Sequence, residues 1–227
     1  NRMTEANSNN NNNNAGAAVK RTNYEVDIKW ERCYTGGKAS LASDGSFFVC
    51  QCDEVIKVVD CGTGRVTQTI EPNNGSISDV ILRPNDVDVF IAFDNRLIQH
   101  WSLMRVDNNR DSDDENDGVK KDGDDDETSA VLIHSWKQHD APVRTMAFDS
   151  TTTLLATAGA DRCVMVYDVV RHHLTHALHG HKHVVTCLAF HPDSQQHTLL
   201  SGDEGGAVIS WNLQTKRGKP LDAHASA

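Results

Sequence analysis

Between Arg171 and His183 the sequence reads RHHLTHALHGHKH, six histidines in thirteen residues. Imidazole is the commonest protein metal ligand, and it titrates near neutral pH. The stretch therefore raises two chemistries, zinc binding and a proton switch. Which one is open to it depends on the backbone underneath. On a β-strand the side chains alternate and advance about 3.3 Å per residue, which puts His172 and His176 about 13 Å apart on one face. Zinc holds its nitrogen ligands at about 2.1 Å, so that pair cannot share an ion. His173 and His179 are farther apart still. Only His179 with His181, or His181 with His183, could meet one metal, and no nearby cysteine or carboxylate completes four ligands. A proton switch lacks a partner charge. The stretch reads as the polar outer strand of a sheet followed by one structural histidine, His181, and no metal site is expected.

Other chemistry-bearing patterns dissolve in the same way. The segment DDENDGVKKDGD, Asp113 to Asp124, places Asp113, Glu115, Asp117, Gly118 and Asp124 at calcium-loop positions. Yet no amphipathic helices flank it, Lys120 stands where an apolar residue belongs, and Asp124 replaces the closing bidentate glutamate. CGTGR, 61 to 65, is a turn, because no Gly-Lys-Ser/Thr follows a strand there. No nucleophile is paired with a positioned base, so no catalytic residue and no cofactor are expected. Ser112, followed by Asp-Asp-Glu, is a candidate phosphorylation site for an acid-directed kinase.

The elements that carry these residues emerge from composition and periodicity. The chain has 227 residues and a net charge of −10. Eleven acidic residues against three basic ones between Asp107 and Glu127 supply −8 of it. The rest is nearly neutral, and the charge marks one solvated insertion, expected to be disordered over 107–129. Residues 1–23, with the asparagine run Asn9–Asn14, are likewise expected to be a disordered tail. No apolar run is long enough for a membrane span. The remainder repeats. APVRTMAFDSTTTLLATAGADRCVMVYDVV (141–170) aligns with HVVTCLAFHPDSQQHTLLSGDEGGAVISWNL (183–213), and weaker copies occupy 77–103 and 37–64. Val59, Trp101, Tyr167 and Trp211 fall at matching positions with gaps of 42, 66 and 44 residues; the long gap contains the acidic insertion. Each copy predicts four short strands with period-two alternation and polar turns.

A four-stranded unit of about 40–45 residues resembles a WD40 propeller blade. The predicted fold is all-β, a partial WD40 β-propeller of about four four-stranded blades, at 36–72, 75–137, 139–179 and 181–221. Tyr24–Trp30 (YEVDIKW) alternates strictly, and the resemblance implies that it is the N-terminal strand that closes the ring. The family's Gly-His opening is clear at Gly180-His181 and partial at Gln138-His139. The resemblance implies a buried blade network of histidine, hydroxyl, aspartate and tryptophan. Carried over by position, the fourth blade offers His181, Ser201, Asp203 and Trp211. The third offers His139, Asp161 and Tyr167, with Gly159 where the hydroxyl belongs. The second keeps Trp101 and the first Asp53.

Two stretches are more specific, ERCYTGGKASLASDG (31–45) and APVRTMAFDSTTTLLATAGADRCVMVYDVVRHHLTHALHGH (141–181). Together they are similar to the transducin beta-like WD40 subunits of the UTP-B subcomplex of the small-subunit processome. That resemblance implies a nuclear, nucleolar, non-enzymatic scaffold for pre-rRNA processing. Its partners would be other UTP-B protein subunits, with pre-rRNA and small nucleolar RNA met indirectly or weakly and no membrane involved. It also implies two tandem propellers, of which this chain would be an N-terminal fragment. The alternative function is a generic WD40 peptide-binding adaptor, such as a ubiquitin-ligase substrate receptor.

Overall fold

A computed structural model describes residues 34–103 and 130–221. The asparagine-rich start, Tyr24–Trp30, the acidic insertion with Ser112 and the calcium-loop look-alike lie outside the described residues.

Among the described residues, sixteen strands form four antiparallel sheets of four. The first sheet holds β1 (Ala39–Leu41), β2 (Phe47–Cys52), β3 (Val55–Asp60) and β4 (Val66–Ile70). The second holds β5 (Ile77–Leu82), β6 (Asp88–Phe93), β7 (Leu97–Ser102) and β8 (Val131–Lys137). The third holds β9 (Val143–Phe148), β10 (Leu154–Gly159), β11 (Cys163–Asp168) and β12 (His173–His179). The fourth holds β13 (Val185–Phe190), β14 (Thr198–Asp203), β15 (Val208–Asn212) and β16 (Arg217–Leu221). Each sheet runs in chain order from its first strand to its fourth, and the first strands of successive sheets lie side by side. The acidic insertion enters between β7 and β8, between the third and fourth strands of the second blade.

The repeat seen in the sequence is a repeat of register. Val59 pairs with Phe48, Trp101 with Val89, Tyr167 with Leu155 and Trp211 with Leu199, the same place in each blade. In the first three blades the ladder to the outer strand slips by one residue at that position. The histidine-rich stretch is the outer strand of the third blade, but it starts two residues later than its spacing suggests. His172 sits in the preceding turn with φ 54°. Counting strand rise from His172 therefore does not hold.

Strand β6 shows why the blades stack. All six of its residues are buried. Val89, Ile91 and Phe93 pack with Val49, Ile56 and Val58 of the first blade. Phe90 and Ala92 pack with Val143, Met146 and Leu155 of the third. The period-two alternation thus feeds two cores, one on each side of the sheet. A third core joins Ala156, Val164 and Val166 to Leu199, Ile209 and Trp211. On the far face of the fourth blade, Leu200 occupies the place that Ala156 holds in the third; it is 38% exposed where Ala156 is fully buried.

One polar group crosses three blades near the first strands. Asp79 in β5 is almost wholly buried. Lys38, just before β1, reaches it at 3.1 Å and also donates to Thr145 Oγ1 at 3.2 Å in β9. Asp79, Thr145 and Cys187 sit at the same register in β5, β9 and β13. Burial pushes the Asp79 carboxyl above the ordinary carboxylate range, and Lys38 pulls it back only in part. A folded-state pKa above the unfolded one means that this group's contribution falls as pH rises through it. Lys38→Met leaves a buried carboxylate without its cation and is expected to destabilise by about 1–3 kcal/mol at neutral pH, less at pH 4. Urea unfolding at the two pH values measures this, and Lys38→Met with Asp79→Leu should recover most of the loss.

Candidate functional site

The most organised polar groups are those inside the blades. In the fourth blade, His181 precedes β13, Ser201 and Asp203 lie in β14, and Trp211 lies in β15. His181 Nδ1 is 2.9 Å from Asp203 Oδ2, and its Nε2 is 2.6 Å from Ser201 Oγ. Trp211 Nε1 donates to the same Ser201 Oγ at 2.7 Å. An ionised carboxylate only accepts, so Nδ1 carries the proton and the chain of donors runs one way. The indole N–H donates to serine, the serine hydroxyl to Nε2, and Nδ1–H to aspartate. The Asp203 Oδ1 atom also accepts from the Ala207 N–H at 3.0 Å, closing the turn. Gly218 stands opposite Trp211, and any Cβ there would lie 2.5 Å from the indole. Glycine makes room for the large ring.

The third blade has the same relay with one member changed. His139 Nδ1 lies 2.7 Å from Asp161 Oδ2, and its Nε2 lies 2.8 Å from Thr157 Oγ1. This corrects the sequence alignment. The hydroxyl is present, on Thr157 rather than at Gly159, because Thr157 pairs with Met165 as Ser201 pairs with Ile209. Counting back two residues from the aspartate misplaces it, since Asp161 lies in the turn while Asp203 still belongs to its strand. Gly159 serves close backbone packing instead, for a Cβ there would come within 2.1 Å of the Pro142 carbonyl. Tyr167 does not join the relay. Its ring stacks on Trp136 at 4.6 Å and its hydroxyl lies 3.4 Å from His134 Nε2.

The first two blades have no histidine relay among the described residues. Ile91 takes the hydroxyl position in the second, and Trp101 Nε1 donates instead to Gln99 Oε1 at 3.0 Å. Asp53 is an exposed turn residue with φ 56° whose backbone N–H donates to Thr35 Oγ1. The second blade has a different polar knot, which the sequence reading missed. Asp88 accepts from Arg83 at 2.9 Å and Asn85 at 2.8 Å, with His100 Nε2 at 3.4 Å. Its sequence signal was a lone basic residue five positions from an aspartate, too common to single out.

Burial acts to raise all three of these aspartates. For Asp88, the nearby His100 imidazole and hydrogen bonds from Asn85 and Arg83 outweigh it and bring the pKa down to about 2. For Asp161 and Asp203, the bonds from His139 and His181, with backbone N–H groups, hold the carboxyls below the ordinary range.

The six histidines of the opening stretch each find a separate place. The His172 ring sits 4.6 Å from that of His134. His176 Nε2 donates to the Leu213 carbonyl at 2.7 Å, bridging the third and fourth blades. His179 Nδ1 is 3.0 Å from Cys163 Sγ. His181 is in its relay, the His183 ring lies against Gly205, and His173 is exposed at the start of β12. The expected single structural histidine becomes two, because His176 bridges blades. Among the described residues no group of three or more histidine, cysteine or acidic side chains is placed to hold a metal ion.

Ser201, His181 and Asp203 have the connectivity of a hydrolytic triad. The serine is only 1% exposed, however, and its oxygen already accepts from the Trp211 indole. No substrate carbonyl reaches it in this conformation, and the arrangement stabilises the blade. A family model described as "WD domain, G-beta repeat" matches residues 130–168 and 172–212, from β8 through β15, and these residues hold both relays. This chain carries WD40 repeats. It is similar to mouse Transducin beta-like protein 3 (32% identical over 216 residues, 94% of this chain) and to its bovine counterpart (33% over 216 residues). It is also similar to the Periodic tryptophan protein 2 homolog of Schizosaccharomyces pombe, 32% identical over 84 residues, 37% of this chain and 10% of that protein. The chain spans 24% of the length of the mouse and bovine relatives. Proteins built from such repeats are generally scaffolds that bind other proteins.

Two measurements test the relay. Ser201→Ala orphans both His181 Nε2 and the Trp211 N–H and is expected to cost about 2–3 kcal/mol, whereas Thr157→Ala orphans one group and should cost about 1–2 kcal/mol. Denaturant unfolding separates the two. Acid acts on the relay carboxylates Asp161 and Asp203 and on Asp88. Folded-state pKa values below the unfolded ones contribute stability that is complete above about pH 5 and lost as pH falls toward 2. Asp88→Asn should flatten the fall between about pH 4 and pH 2, measured as unfolding free energy against pH.

Proposed function

We propose that this chain belongs to a non-enzymatic WD40 scaffold subunit of the small-subunit processome. It would act in nucleolar pre-rRNA processing and small ribosomal subunit biogenesis through contacts with other UTP-B proteins, and meet pre-rRNA and small nucleolar RNA chiefly through them. One observation carries the reading. The WD40 family model matches residues 130–168 and 172–212, from β8 through β15, yet the similarity to the Transducin beta-like 3 proteins runs over 94% of the chain. It therefore extends into blades that have lost the relay and that a merely generic likeness between WD40 repeats would not reach. The partial similarity to the Periodic tryptophan protein 2 homolog is consistent with it. No helix among the described residues is long and apolar enough to cross a membrane.

The test is quantitative affinity purification of the tagged, full-length native protein at its natural level, with and without ribonuclease. Processome subunits are expected to co-purify and to survive ribonuclease, and the tagged protein to concentrate in nucleoli. Co-purification of ubiquitin-ligase subunits in place of processome proteins would instead support a substrate-receptor adaptor. Loss of the processome proteins on ribonuclease treatment would replace the protein-contact mechanism with an RNA-borne one.

A further inference from the structure

Asn74 is the one asparagine in the sequence that is followed by glycine. The side-chain amide of asparagine is open to attack by the backbone nitrogen of the next residue. That nitrogen must lose its proton and reach the side-chain Cγ. A side chain on the next residue obstructs the approach, and a hydrogen bond on its N–H opposes the loss of the proton. Glycine removes the first obstacle.

The structure decides the second. Asparagine also stands at 73, 85, 95 and 212 among the described residues. After Asn85, the Asp86 N–H donates to the Arg83 carbonyl at 2.9 Å. After Asn95, the Arg96 N–H donates to the Phe93 carbonyl at 3.0 Å. After Asn212, the Leu213 N–H donates to the His197 carbonyl at 2.9 Å. Asn73 is followed by Asn74, which carries a side chain. Even the aspartate counterpart, Asp44-Gly45, is held, because the Gly45 N–H donates to the Ala42 carbonyl at 3.0 Å. Gly75 has no such tie. Its N–H meets no acceptor among the described residues. It is exposed, its φ is 88°, and apart from its chain neighbours no atom lies within 4 Å of where a Cβ would stand.

The pair lies between β4 and β5, where the chain passes from the first blade to the second. Asn74 Nδ2 donates to the Pro72 carbonyl at 2.5 Å, and the Asn74 carbonyl accepts from Asn95 Nδ2 at 3.0 Å. We propose that Asn74 and Gly75 form a site of spontaneous succinimide formation and deamidation in the folded protein. The Gly75 nitrogen gives up its proton and bonds to Asn74 Cγ. The Cγ–Nδ2 bond breaks, and that nitrogen leaves as ammonia. Water then opens the ring. Cleavage of the bond from Cγ to the Gly75 nitrogen leaves aspartate in an ordinary chain. Cleavage of the bond from the α-carbonyl to that nitrogen leaves isoaspartate, with the chain running through Cβ and Cγ. Both products add a negative charge, and neither donates to the Pro72 carbonyl. In isoaspartate the carbonyl that accepts from Asn95 also leaves the main chain as a free carboxylate. The reaction is a one-way change at the joint between two blades.

The test holds the folded 227-residue chain at neutral pH beside a capped synthetic peptide of residues 66–83. Peptide mapping follows a gain of about one dalton located at Asn74 by fragmentation. Isoaspartate is read by transfer of a labelled methyl group from S-adenosylmethionine with an isoaspartyl methyltransferase. Asn74 in the folded chain is expected to convert within about threefold of the peptide's rate, while Asn85, Asn95 and Asn212 convert at least about tenfold more slowly. The rate should rise with pH, and isoaspartate should be the main product. Gly75→Ala should slow conversion at least about tenfold. Asn74→Gln keeps the amide but needs a larger ring, and should abolish conversion without imposing a side chain at φ 88°. Hydrogen exchange at 71–76 and 94–96 should quicken in the converted chain. A rate at Asn74 more than about tenfold below that of the peptide would overturn the proposal, since the fold would then protect the site. Equal conversion at the other three asparagines, or aspartate with no isoaspartate, would overturn it as well.

Discussion

The two middle sheets are apolar on both faces of their inner strands, and that constraint governs the rest. A strand such as β6, buried from Asp88 to Phe93, has no solvated side to turn outward. A single blade of this composition would expose half of its core to water, at roughly 25 cal/mol for each Å² of apolar surface. Stability is therefore collective: the three apolar clusters lie between blades, each drawing side chains from two neighbouring sheets. Polar links follow the same seams. Lys38 ties the first blade to the second and third, Arg83 donates to the Thr152 carbonyl, and His176 ties the third to the fourth.

Within this frame the histidine relays act as internal braces. A buried serine, imidazole or carboxylate is costly unless each has its partner, and the relay supplies all of them in one directional chain. The blades vary in how far they keep it. The fourth is complete, the third substitutes ring stacking of Tyr167 on Trp136 for the indole bond, and the second replaces the relay by the Asp88 knot. In the second blade the substitution is explicit: Trp101 loses a hydroxyl and takes Gln99. Both relays lie within the residues that the WD40 family model matches.

Much of this was legible in the residues. The 42- to 44-residue spacing of Val59, Trp101, Tyr167 and Trp211, with the acidic insertion set aside, is a register repeat in the structure. The period-two alternation identified the strands, and the polar turns punctuated them. The separation of the histidines was also legible in outline, since strand geometry keeps near neighbours from converging.

By itself, the sequence determined the all-β class, the four repeats and the residue, Val59, Trp101, Tyr167 or Trp211, that marks each third strand. These follow from local periodicity, which needs no knowledge of distant contacts. Only the tertiary structure decided which hydroxyl meets which histidine. Thr157 and Gly159 differ by two residues, a shift that keeps the same face of the strand, and one difference in turn length moves the partner. It also decided that His176 reaches the Leu213 carbonyl 37 residues away. The pairing of Lys38 with Asp79 and Thr145, 41 and 107 residues on, was likewise beyond any local pattern. Such contacts join residues that become neighbours only when apolar faces on separate blades are buried against each other.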